Sequence, residues 1–201
     1  DEVVARGLIR VVEEAMRFIE TADVPPVDRL AYGVVYAELT RKIARIVGLA
    51  KYREGAATIQ KAIAFFDQPA TSSVFQPGVA LEALGQTGDE SAVPLLLRYL
   101  DSREISTVRY LEAGRSVSVT VGDAALLALA RIYKIEPESL GFHVDTKGDM
   151  PIGFLDEPTR RTAHVAFRKW QQENEGKAAA ERTPLTTQPA SEAAESDGGA
   201  R

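Results

Sequence analysis

Ala80-Leu81-Glu82-Ala83-Leu84-Gly85-Gln86-Thr87-Gly88-Asp89-Glu90-Ser91-Ala92-Val93-Pro94-Leu95-Leu96-Leu97-Arg98-Tyr99-Leu100 decides the fold. Val79, Ala80, Ala83 and Leu84 fall on one face at helical spacing, and the two alanines let that face approach a neighbour closely. Gly85 and Gly88 are expected to close the helix, since glycine takes the backbone angles that a sharp turn demands. Asp89 or Ser91 then caps a second helix, where a side-chain acceptor meets the unpaired amides and the positive end of the dipole. Pro94 sits in or just after the first turn, where little hydrogen bonding is lost. Val93, Leu96, Leu97 and Leu100 form the second stripe. Each helix has one oily stripe, and such a pair is stable only when stacked on its neighbours.

Toward the N-terminus the same 3.6-residue period recurs. Leu8, Val11, Ala15, Phe18 and Ile19 mark a first helix, broken at Asp23–Pro26. A second is predicted to start near Asp28, with Ala31, Val35, Leu39, Ile43 and Ile46 as its buried stripe and Gly48 as its stop. A third starts near Gly55, with Ile59, Ala62, Ile63 and Phe66 inward, and ends at Pro69 and Thr71-Ser72-Ser73.

Toward the C-terminus the period changes. Val117, Val119 and Val121 alternate with Ser116, Ser118 and Thr120, which is a strand pattern. Ile105–Leu111 is rich in β-branched and aromatic residues, so a β-hairpin is predicted over about 105–121, with Glu112–Arg115 as its loop. A lone hairpin is marginal in water, so it must lean on a helix or a partner. Ala125, Ala128, Leu129 and Ile132 restore the helical period behind Asp123, the expected cap. Gly141–Gly153 reads as irregular. A last helix opens at Pro158, with Ala163, Ala166, Phe167 and Trp170 inward. Residues 1–175 therefore read as one α-helical domain with the hairpin inserted. Residues 176–201 hold Leu185 as their one large apolar residue and read as a disordered tail, too poor in apolar surface to offset ordering entropy.

Composition narrows the function. The 201 residues carry 24 Lys plus Arg against 29 Asp plus Glu, a formal charge of −5, with 45% hydrophobic and 26% charged residues. This is the balance of a soluble domain, and no apolar run approaches the roughly 20 residues of a membrane span. Cysteine is absent, which removes disulfide and thiolate chemistry. The acidic balance argues against general nucleic-acid binding. The first residue is Asp1, so a processed product or a fragment is expected, either cytoplasmic or exported after processing.

The run 80–100 resembles the HEAT-like repeat found also in phycobilin lyases. An Ala-rich helix ends in Ala83-Leu84-Gly85, a Gly88-Asp89 corner follows, and Ala92-Val93-Pro94-Leu95-Leu96 opens the second helix. Asp123-Ala124-Ala125-Leu126-Leu127-Ala128-Leu129-Ala130 resembles the first helix of a further repeat. The resemblance implies a mainly α fold, an α-solenoid of stacked helical hairpins whose groove receives a protein partner without catalysing a reaction. Its other implication is a phycobilin-lyase-like protein that handles a small molecule or chromophore.

No catalytic constellation accompanies this pattern. Gly-x-Ser-x-Gly, phosphate-loop and dinucleotide fingerprints are missing, and no cofactor is expected. His143, Asp145 and Asp149 share a loop but lack a calcium-loop spacing, so the reading is a polar loop and no metal. The neighbouring acids Glu13-Glu14 and Asp156-Glu157 read as solvated charge. Candidate binding residues are Arg98 and Tyr99, which lie off the apolar stripe of their helix, and Arg160 and Arg161 on the last helix. Arg160, Arg161, Arg168 and Lys169 beside Trp170, like Arg41, Lys42 and Arg45, form a basic cluster that would serve a weak nucleic-acid binder. The overall acidity makes each a solvated face instead.

Overall fold

A computed structural model describes residues 2–21, 26–67, 75–110, 116–145, 150–177, 181–182 and 185. Seven α-helices appear among them: α1 (Glu2–Thr21), α2 (Pro26–Leu49), α3 (Ala56–Phe66), α4 (Gly78–Thr87), α5 (Val93–Tyr99), α6 (Val121–Tyr133) and α7 (Glu157–Asn174). Strands β1 (Ile105–Tyr110) and β2 (Ser116–Thr120) pair antiparallel between α5 and α6, as predicted. Glu112–Arg115, the predicted loop, lies outside the described residues.

The core is a row of helices. α4 packs between α2 and α6, and α6 also meets α5, β2 and α7. Every residue of α6 from Val121 to Ala130 is buried, as expected for a helix that is apolar on all sides. Its start is a capping box. The Thr120 hydroxyl accepts from the Asp123 amide at 3.1 Å, and the Asp123 carboxylate accepts from the Thr120 amide at 2.8 Å. Thr120 is therefore the cap and Asp123 its third-position partner, which corrects the expected roles. Val121 opens the helix rather than closing the hairpin.

The Gly85 expectation is corrected too. α4 runs on to Thr87 and ends at Gly88, whose φ of 68° is left-handed. Gly85 instead lies against α6: a Cβ there would sit 2.4 Å from Ala128 Cα. Gly48 plays the same part between α2 and α4, where a Cβ would lie 2.9 Å from Ala83 Cα. Close approach, not turning, explains both glycines. Asp89 caps the turn before α5 by accepting from the Ser91 amide at 3.0 Å.

The first two stripes are partly rotated from their predicted positions, with Ala15, Ile19 and Ile43 buried as predicted. In α1 the buried residues are Ala5, Ile9, Val12, Ala15 and Ile19, leaving Val11 and Phe18 each 42% exposed. α2 begins at Pro26 rather than near Asp28. It buries Ala37, Thr40, Ile43, Ala44 and Val47, while Val35 is 62% exposed. Hydrophobicity picked out Val11, Phe18 and Val35, whereas the buried faces mix Ile and Val with the small Ala5, Ala37 and Ala44, which permit close packing.

Around 141–153 a short strand pair replaces the expected irregular loop. β3 (His143–Asp145) pairs antiparallel with β4 (Met150–Gly153), with a register break at His143. Strands this short offer too few residues for an alternating pattern. Gly153 abuts Val117 and Val119 of β2, both buried. The hairpin thus leans on β4 as well as α4 and α6. Arg109 of β1 bonds the Pro151 carbonyl and, at 3.0 Å, Glu82 of α4.

Most of the predicted tail lies outside the described residues. Within it, the Arg182 guanidinium stands 4.7 Å over the Tyr133 ring, a cation–π arrangement, and Leu185 packs against the core.

Candidate functional site

Arg98 and Tyr99 end α5 beside the C-terminus of α3. Arg98 is exposed and faces Asp67 at 3.6 Å. An ion pair this open to water is weak, so its guanidinium is available to another carboxylate. Tyr99 is half-buried against the core. Burial pushes its hydroxyl well above the ordinary tyrosine pKa, and the Asp67 carboxylate adds to the effect. Tyr99 therefore stays neutral at physiological pH.

Arg160 and Arg161 are neighbours on α7 with opposite environments. Arg161 is exposed. The Arg160 side chain is only 12% exposed and fully engaged. Its Nε lies 3.2 and 3.1 Å from the two oxygens of Asp123, Nη1 donates to Glu157 at 2.5 Å, and Nη2 donates to the Ser118 carbonyl at 2.6 Å. The local sequence explains the geometry. Asp156 caps α7 by accepting from the Thr159 amide at 2.7 Å, and Arg160 and His164 then fall one turn apart on the face toward α6.

His164 completes the cluster. It is buried, and its Nε2 lies 3.2 Å from Asp123. Asp123 is wholly buried, which alone would raise its pKa. The His164 hydrogen bond, the Thr120 amide and the Arg160 charge outweigh that and hold it below the ordinary carboxylate range. This buried, multiply bonded carboxylate ties α7 to the start of α6. Sequence reading missed it because the partners stand 37 and 41 residues apart, and no local pattern signals such a pairing.

The contacts therefore divide the four candidates. Arg98 and Arg161 present charge to solvent; Tyr99 supports α5; Arg160 fastens α7. The α5 and α7 pairs have separate partners: Arg98 faces Asp67, and Arg160 holds Asp123, Glu157 and Ser118. His143 opens β3, whereas the Asp145 side chain and Asp149 lie outside the described part. Among the described residues no cluster of three His, Cys, Asp or Glu could hold a metal, and no helix is long and apolar enough to cross a membrane. A groove of about 510 Å³ runs between α1 and α3. Met16, Ala64 and Phe65 floor it, and Glu13, Arg17 and Lys61 rim it with mixed charge.

Residues 78–102, which hold α4, its turn and α5, match the model of the PBS lyase HEAT-like repeat family. A single such repeat is detected. No curated protein and no solved structure matches the chain.

Proposed function

We propose that the protein is a HEAT-like interaction or scaffold module that works without catalysis, its helical pairs stacked as a short α-solenoid. The observation that carries this reading is the seating of the repeat. Gly48 meets Ala83, and Gly85 meets Ala128, so the first helix of the matched repeat is flanked by a helix on each side through a close glycine–alanine contact. Repeats bury their stripes by such stacking and use the remaining surface for recognition. On that surface Arg98 and Arg161 are the contacts for a protein partner's carboxylates. Tyr99 and Arg160 hold the helices that present them.

Affinity capture with the full chain from its native lysate tests this. The wild type should retain a specific protein, and Arg98→Glu/Arg161→Glu should retain at least tenfold less with unchanged circular dichroism. Retention of a coloured or small ligand instead, or of DNA in a salt-dependent manner, would contradict the reading in favour of a ligand handler or a nucleic-acid binder.

A further inference from the structure

Half of the residues that sequence analysis assigned to the core of α1 and α2 are exposed: Val11 and Phe18 on α1, and Ala31, Val35 and Ile46 on α2. On α1, Val4, Leu8, Val11, Ala15 and Phe18 follow a 4-3-4-3 spacing; Val4, Val11 and Phe18 are 52%, 42% and 42% exposed, Leu8 is partly buried and Ala15 is buried between them. On α2, Tyr32, Val35, Leu39, Lys42, Ile46 and Leu49 follow a 3-4-3-4-3 spacing, apolar but for Lys42, and Val35 and Leu49 are 62% and 65% exposed. The stripes are continuous, because Phe18 packs edge-on against Tyr32 with ring centroids 5.7 Å apart. Such spacing on two adjacent helices is the pattern that the inner surface of a helical bundle carries.

We propose that this face binds a second copy of the chain, two α1/α2 hairpins closing a four-helix bundle about a twofold axis. Size fits such a partner. Seven large apolar residues on this face (Val4, Val11, Phe18, Tyr32, Val35, Ile46 and Leu49) are each 42–65% exposed, a patch on the order of the several hundred Å² at which exposed apolar surface marks an interaction site and of the scale that each partner of a standard interface supplies. The face is two helices wide and spans α1 residues 4–18, about 21 Å at the helical rise. A single docked helix would fill only the groove between them. Charge fits as well. Lys42, in the α2 stripe, lies 3.7 Å from Glu38, and exposed Arg10 and Glu14 flank α1, so the face carries both signs in balance and does not repel its own copy. Gly7 agrees with this, since nothing lies within 4 Å of where its Cβ would be. This surface is separate from the α5/α7 surface proposed above, and the two stand or fall independently.

Sedimentation equilibrium of the full chain should show a monomer–dimer equilibrium. Val11→Lys and Val35→Lys should each weaken it at least 100-fold, and Val165→Lys, at an isolated exposed valine on α7, should leave it unchanged. Because the chain has no cysteine, Val11→Cys and Val35→Cys can be cross-linked by a short bis-maleimide without disturbing the apolar face. Both should give covalent dimers at micromolar concentration, and Val165→Cys should not. A monomer at all concentrations, a dimer indifferent to the α1/α2 substitutions, or capture of a different protein through this face would overturn the proposal.

Discussion

The two faces of α2 differ in a way that hydrophobicity does not foretell. On its inner side the helix presents Ala37, Ala44 and Gly48, all buried, with Gly48 against Ala83 of α4. On its outer side it presents Tyr32, Val35, Ile46 and Leu49, each at least 42% exposed. Small residues bring helix axes together, so contact is gained along the whole backbone rather than at a few side chains. The larger residues hold more apolar area but remain available to something outside the described chain. Interior packing here follows fit between surfaces, whereas the outer face has the spacing of a bundle seam.

The same substitution in the two regions gives the widest contrast. Leu96→Ala empties a fully buried site on α5 and should cost about 2–5 kcal/mol in urea unfolding. Leu49→Ala, on the outer face, should change the stability of the dilute monomer by about 0.5 kcal/mol or less. Similar costs at both sites would erase the distinction between the regions.

The junction of α6 and α7 sharpens the comparison, since burial there falls on a charge. Asp123→Asn should cost about 3 kcal/mol, because Arg160 loses its buried counter-charge. The pH dependence has a defined sign. Asp123 has a lowered pKa in the folded chain, so its contribution is complete above the unfolded value of about 3.9 and is lost as pH falls through the lower folded value. Thermal melting of the wild type between pH 7 and 2 should show this acid limb, and Asp123→Asn should flatten it. An acid limb of equal depth in the variant would remove Asp123 as its source.

Much of the helical layout was legible in the sequence. α3 starts after Gly55 as read, Asp89 caps the turn before α5, and the Val117/Val119 alternation marks β2. These signals are local: a cap acts within three residues, and a strand alternates every second one. What escaped was set by distant partners. The burial of Ala44 rather than Val35 depends on the helices packed against α2, and the role of Gly85 depends on Ala128. The roles of the candidate residues escaped for the same reason. Arg160 and Arg161 are equivalent in sequence, yet one is fastened to Asp123 and the other faces water. Only the packing of α7 on α6 separates them.

Two glycine-to-alanine changes test the close-packed row most directly, with unfolding free energies measured side by side. Alanine is intrinsically the better helix former by about 1 kcal/mol. At Gly7 nothing lies within 4 Å of the new methyl, so Gly7→Ala should stabilise the dilute monomer by about 0.5–1 kcal/mol. At Gly85 the methyl would lie 2.4 Å from Ala128 Cα and 2.9 Å from its carbonyl oxygen, so Gly85→Ala should destabilise by about 1–3 kcal/mol. Opposite signs are the expected result; stabilisation at both positions would mean that α4 and α6 do not meet as described.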